Sequence, residues 1–172
     1  WNFKRLLAQK YDIVATNPPY RGASEIADRL ANFLKSEYPD SKSDLFAAFI
    51  ERCGDLLKAR GLQSMITMES WMFLSSYQKL RDKLFSMQTI INLVHMPYLG
   101  KGGTSLGINF GTAAFVISKR HIQNYTAQYD YIRYFETDDE GLPFIFPTIN
   151  ERYTTASVEN FTRIPGSPIS YW

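Results

Sequence analysis

Four consecutive residues, Asn17-Pro18-Pro19-Tyr20, offer the combination of groups in this 172-residue chain best suited to chemistry. The residue before a proline is pushed into extended geometry, so Asn17 and Pro18 are both held extended and the stretch is a stiff projection. It carries an amide oxygen on Asn17, a backbone carbonyl on Pro18 and an aromatic ring on Tyr20. Two fixed acceptors suit an amino group conjugated to a ring, such as the exocyclic amine of adenine. The lone pair of that nitrogen is delocalised, and it is a poor nucleophile. Accepting both of its N–H bonds draws it toward tetrahedral geometry. As positive charge develops on nitrogen those bonds strengthen, so the stabilisation falls on the transition state. Tyr20 would stack on the base at ~1–3 kcal/mol, comparable with the roughly few kcal/mol needed to flip a base from a duplex. The competing reading is a plain proline turn, which an isolated Asn-Pro pair commonly starts. Four residues in this order directly after an apolar strand favour the chemical reading.

The elements around the motif predict how it is positioned. Tyr11 to Thr16 is a short β-rich run that must end at or before Pro18, because proline has no amide hydrogen for a ladder. Ser24 to Lys35 places Ile26, Leu30, Phe33 and Leu34 at helical spacing, and Tyr38-Pro39-Asp40 breaks that helix. Ser41-Lys42-Ser43-Asp44 fits a capping pattern. Leu45, Phe46, Phe49, Ile50, Cys53, Leu56 and Leu57 then share a face, with Arg60-Gly61 as the stop. Leu62 to Met68 reads as a strand buried on both sides, Ser75 to Ser86 as a helix and Thr89 to Met96 as a strand. Gly100 to Gly111 is a glycine-rich loop, followed by an apolar strand over Thr112 to Ser118. Tyr131 to Phe135 is one more candidate strand, and Asp138-Asp139-Glu140-Gly141 a turn. Alternating strands and helices predict an α/β fold with a parallel sheet. In such sheets ligands bind beyond the carboxyl ends of strands, which is where Asn17 sits.

Composition narrows the class. A hydrophobic fraction of 45% and an aromatic fraction of 15% fit a globular domain. The net charge of +2 permits a nucleic-acid partner without announcing one. The single cysteine, Cys53, cannot form an internal disulfide, no Cys/His group has zinc spacing, and no metal is expected. No signal peptide or apolar run of ~18 residues is present, so a cytoplasmic protein without a membrane span is expected. The chain opens at Trp1 and closes at Tyr171-Trp172, which suggests a piece of a longer polypeptide.

Other residues read more plainly. Gly100-Lys101-Gly102-Gly103-Thr104-Ser105 lacks the spacing of a phosphate-binding loop and is expected to be a connection. His95 and Cys53 are expected to pack, Asp12 to end a strand in solvent, and Lys79, Arg81 and Lys83 to form a solvated helix face. Glu69 and Ser70 follow a strand at its carboxyl end and could border a pocket. Trp71 and Phe73 could wall the site or fill core.

The stretch Tyr11-Asp12-Ile13-Val14-Ala15-Thr16-Asn17-Pro18-Pro19-Tyr20 resembles the catalytic strand and motif of S-adenosylmethionine-dependent amino-methyltransferases. The segments 38–46, 65–77 and 161–172 are similar to the phage-growth-limitation (BREX) adenine methyltransferases, so the resemblance runs through nearly the whole chain. It implies a partial Rossmann-like methyltransferase sheet, mostly parallel with an antiparallel last strand and helices on both faces. Residues 1–120 would be the catalytic half, and 121–172 the end of the catalytic domain with its connection toward a target-recognition domain. Asn17, Pro18, Pro19 and Tyr20 take the catalytic base-pocket roles. Asp44, Leu45 and Phe46 match the family's residues that line the adenine of the cofactor, S-adenosyl-L-methionine. Phe110 is implied to pack against the flipped base, in a stretch that departs from the family's pattern. The implied activity is N6 methylation of adenine in double-stranded DNA, in phage defence or restriction-modification and alongside other defence proteins. A protein-glutamine methyltransferase, which also holds an amide nitrogen, and a non-catalytic DNA- or partner-binding fragment remain alternatives.

The family places a glycine-rich cofactor loop upstream of the motif, and no Gly-x-Gly-type loop follows a strand at the start of this chain. The isolated chain is therefore expected neither to bind the cofactor well nor to turn over. Titration calorimetry with S-adenosylmethionine should show no micromolar binding.

Overall fold

The computed structural model describes residues 2–98, 109–140, 142–147 and 151–172. Helix α1 (Asn2–Ala8) leads into β1 (Tyr11–Thr16), α2 (Asp28–Glu37), α3 (Leu45–Leu56) and β2 (Leu57–Met68). Then come α4 (Gln78–Met87), β3 (Thr89–Met96), β4 (Thr112–Ser118), β5 (Thr126–Tyr131), β6 (Thr154–Ser157) and α5 (Val158–Thr162). The strands form one open sheet in the order β1-β2-β4-β3-β5-β6. β1 runs parallel to β2 and β3 parallel to β5, while β4 is antiparallel to both its neighbours and β6 antiparallel to β5. Most strands thus point one way, as expected, with one antiparallel strand in the middle and another at the far edge.

Phe46, Ile50, Trp71, Leu80, Leu93 and Phe115 anchor a single core. Phe161, Ile169 and Tyr171 belong to the same core, so the residues beyond 120 complete this sheet and its packing. Cys53 is buried on α3, and burial pushes its thiol up to about 11. Among the described residues no helix is long and apolar enough to cross a membrane. The Gly100–Ser105 loop lies outside the described residues.

Several expected boundaries move, each for a local reason. Helix α2 starts at Asp28 instead of Ser24, because the backbone upstream is already used. Gly22 bridges to Asp44, and the Ala23 N–H donates to the Ser43 carbonyl at 3.1 Å. Helix α3 is capped by Asp44, whose carboxylate accepts from the Phe46 N–H at 3.2 Å. Ser41, the expected cap, is buried and donates to Glu51 at 2.5 Å. Gly61 does not stop a helix. It lies inside β2, where a Cβ would stand 3.0 Å from the Tyr11 and Asp12 carbonyls of β1.

Strand β2 packs on one face only. Gln63, Met65 and Thr67 are buried, whereas Leu62 is 37% and Ile66 45% exposed. Ile13, the register partner of Leu62, is 66% exposed, so a strip of apolar side chains stays uncovered among the described residues. The strand expected over Tyr131 to Phe135 ends at Tyr131. The Glu136 carboxylate captures the Arg133 N–H at 2.8 Å and turns the chain there.

Arg81 overturns the solvated-face expectation. It is 1% exposed, and its guanidinium donates to the carbonyls of Trp71, Leu74, Gly166 and Ser167 at 2.6–3.3 Å. Gly166 (φ 81°) and Ser167 (φ 49°) adopt left-handed geometry in the turn that presents two of these carbonyls. Lys79 and Lys83 are exposed as expected, Lys83 while pairing with Glu51 at 2.5 Å. Arg81 therefore staples the C-terminal segment to α4. Arg81→Met should cost about 3 kcal/mol or more, since it leaves buried carbonyls without donors. Chemical denaturation of the variant checks this, and a change under 1 kcal/mol would refute it.

Candidate active site

The prolines end β1 at Thr16 and carry the chain over the carboxyl edge of the sheet. Asn17 and Pro19 are exposed there, Pro18 is buried and Tyr20 is half-buried. The Tyr20 hydroxyl donates to Asn17 Oδ1 at 2.8 Å and lies 3.1 Å from the Ile66 carbonyl. Burial raises the phenol above its ordinary pKa, so it keeps the proton that makes this bond. A carboxamide oxygen has two lone pairs, and Asn17 therefore retains one for an incoming N–H.

The loop after the motif is clamped to the start of α3. Asp44 Oδ1 accepts from the Arg21 N–H as well as from Phe46, and the Leu45 N–H donates to the Arg21 carbonyl at 3.0 Å. Burial raises the Asp44 carboxyl, and the backbone N–H bonds of Phe46 and Arg21 oppose that rise. Phe46 is fully buried, with its ring tilted or edge-on to Tyr20 at 6.3 Å and Tyr77 at 6.0 Å. Leu45 is half-buried and borders an apolar groove of about 480 Å³ that it shares with Leu30, Phe33 and Phe49.

Phe110 arrives from the other side. Its ring meets Tyr20 edge-on at 5.3 Å. Topology explains the meeting: β4 runs antiparallel to β2, so it begins at the edge where β1 and β2 end, with Thr112 opposite Met68. Asn17, Pro18, Tyr20, Asp44, Phe46 and Phe110 are thus gathered at one place, although the last of them is 93 positions from the first.

A second cluster at this edge escaped sequence reasoning as a unit. His95 Nε2 lies 2.5 Å from Glu69 Oε2, and His95 Nδ1 lies 2.9 Å from the Tyr171 hydroxyl. His95 does pack, as expected, but it also bridges two polar groups. Glu69 does border a pocket, one of about 550 Å³ lined also by Phe73, Tyr131, Arg133 and Trp172. None of Asn17 to Tyr20 lines this larger cavity. The usable signal was a titratable residue inside or just after an apolar strand. Trp71 is fully buried core, and Asp12 is solvent-exposed and paired with Lys58 at 2.7 Å.

Residues 1–101 match the Eco57I restriction-modification methylase family. The chain belongs to that family. Two relatives of this methylase chain carry it further. The adenine-specific methyltransferase PglX of Lacticaseibacillus casei (strain Zhang) is 38% identical over 98% of this chain and 14% of its own length. The adenine-specific methyltransferase BrxX of Escherichia coli O9:H4 (strain HS) is 38% identical over 97% of this chain and 14% of its own length. The chain therefore spans about one seventh of these relatives, 14% in each case. Among solved structures, a type I restriction-modification assembly superposes with a TM-score of 0.68 at 16% identity, covering 98% of this chain and 38% of that one. The type I methyltransferase subunit from Streptococcus thermophilus gives 0.65 at 16% identity, covering 93% of this chain and 37% of that one. At such identities these structures establish the methyltransferase fold.

Asp44 joins the helix cap to the motif loop, and its variants separate hydrogen bonding from charge. Asp44→Ala should cost ~1 kcal/mol, the usual value of a lost N-cap. Since burial raises this carboxyl, the folded chain favours its neutral form, and its contribution to stability falls as pH rises through the raised pKa. Asp44→Asn keeps the acceptor without the charge and should be no less stable than the parent at pH 7. Thermal unfolding of both variants checks the pair, and equal losses would contradict it.

Proposed function

We propose that this chain is the catalytic half of an adenine-N6 DNA methyltransferase of phage defence or restriction-modification. Residues 1–120 carry the site, and 121–172 complete the domain and lead toward a target-recognition region. The observation that carries the reading is the exposed Asn17 amide beside the Pro18 carbonyl at the end of β1, with the Tyr20 ring pinned by its hydroxyl. The names of the two 38%-identical relatives, both adenine-specific methyltransferases, support the substrate class.

The residues present fit one side of an adenosyl group. Leu45 offers half-buried apolar surface, and Asp44 and the backbone around it offer acceptors tied to Arg21, next to the Asn17–Tyr20 motif. They and the backbone at Phe46 would hold the adenosyl part of S-adenosylmethionine, which supplies an electrophilic methyl group when bound. The chain's own residues do the rest. Asn17 Oδ1 and the Pro18 carbonyl accept the two N–H bonds of a flipped adenine and concentrate the lone pair on N6. Tyr20 keeps Asn17 oriented through its hydroxyl and offers its ring to the base. The acceptors are set before the base arrives, so little reorganisation is needed as charge develops on nitrogen. Double-stranded DNA is the substrate, other defence proteins are partners, and the cytoplasm is where both are met.

Replacing Asn17 by Ala in the full-length protein should lower methyl transfer to DNA by ~10²-fold or more, the scale of losing one transition-state acceptor. Thermal stability should be unchanged, because Asn17 is exposed. Labelled-methyl incorporation into DNA and into a glutamine-bearing peptide, measured in parallel, tests mechanism and substrate together. Parental DNA methylation in the variant sinks the mechanism, and labelling of the peptide alone sinks the substrate.

A further inference from the structure

The contacts of Glu69 reach the base site from the far side. Its N–H donates to the Gly111 carbonyl at 2.9 Å. Its carboxylate lies directly against the Gly111 Cα, where a Cβ would stand 2.2 Å from the carboxyl carbon. Only glycine fits that approach. The carboxylate is itself held, with His95 at 2.5 Å and Tyr171 behind His95 at 2.9 Å. His95 is 2% and Tyr171 6% exposed. Burial pushes the Tyr171 phenol far up, so it keeps its proton and donates to His95 Nδ1. His95 Nε2–H then donates to Glu69, a charge-assisted bond of the stronger kind. Both imidazole nitrogens are thereby occupied, so the ring has no free nitrogen and its part is to hold the carboxylate.

Next to Gly111 is Phe110, whose ring meets Tyr20 at 5.3 Å. A continuous set of contacts thus runs Tyr171, His95, Glu69, Gly111, Phe110, Tyr20, Asn17 across the ends of β3, β2, β4 and β1. We propose that Glu69, locked by His95 and Tyr171, is a positioning residue that fixes Gly111 and so sets Phe110 as the second aromatic wall of the target-base site. The assignment rests on the base-pocket reading of Asn17 and Tyr20. Glu69 does not touch the base. It acts through where Phe110 stands, and a displacement of roughly 1 Å in a positioning group can cost ~10²-fold in rate.

The test uses the full-length protein and its DNA site, with single-turnover methylation, 2-aminopurine fluorescence at the target adenine and S-adenosylmethionine affinity as readouts. Glu69→Gln keeps the shape of the side chain but loses the anionic acceptor. It should lower the methylation rate on the order of 10- to 100-fold and weaken the 2-aminopurine signal, with cofactor affinity unchanged. Phe110→Ala should do the same, and the double variant should be no slower than Phe110→Ala alone. Rates that fall multiplicatively, or a Glu69→Gln variant at parental rate, overturn the proposal. Should Glu69→Gln fail to fold, Gly111→Ala replaces it, because a Cβ there must displace the carboxylate. A parental rate in Gly111→Ala overturns the proposal equally. Methylation retained by Asn17→Ala strikes the base-pocket reading instead, and leaves the coupling between Glu69 and Phe110 to be read from the other rates.

Discussion

Backbone hydrogen bonding across three strands decides where everything else can stand. Met68 of β2, Thr112 of β4 and Met96 of β3 lie abreast in register. Because β4 runs against its neighbours, its first residues share an edge with the last residues of β1, β2 and β3. A slip of one residue would turn every side chain of β4 to the opposite face. The same slip would part Gly111 from Glu69 and Phe110 from Tyr20. The site is therefore as rigid as the ladder beneath it, and it needs no dedicated scaffold of its own.

Polar burial completes what the ladder starts. Arg81 and the His95 bridge each remove charged or titratable groups from water, a costly step unless every donor and acceptor is matched. Both solve it by spanning long sequence separations. Arg81 reaches carbonyls 85 and 86 positions away, and His95 reaches partners 26 and 76 positions away. Arg81 staples the final segment of the chain to α4, and His95 ties it to β3 in the sheet. That explains how Tyr171, next to the last residue, comes to lie behind His95 and Glu69. The opposite flank differs: Ile13, Leu62 and Ile66 expose apolar surface on β1 and β2.

Much of this was legible in the residues. The strand before Asn17, the helix over Leu45–Leu56, the helix near Ser75–Ser86 and the strands over Thr89–Met96 and Thr112–Ser118 follow from periodicity and breakers, because local apolar spacing selects helix or strand. Boundaries were less secure where a side chain had two possible partners. Ser41 and Asp44 both suit a cap, and Glu51, ten positions beyond Ser41, took the serine. Gly61 suits a helix stop, and the closeness of β1 placed it in a strand instead.

For the site, the sequence by itself determined that Asn17-Pro18-Pro19-Tyr20 is a stiff projection carrying an amide, a carbonyl and a ring, since proline stiffness and the preceding strand are local properties. It also marked Glu69 as a strand-end residue. Tertiary structure alone decided that Glu69, His95 and Tyr171 form one bridge, that Arg81 is buried, and that Phe110 faces Tyr20. Spacing along a chain encodes periodicity over a few turns of helix or a few residues of strand. Pairings between residues tens of positions apart are set by strand order and register, which no local pattern specifies.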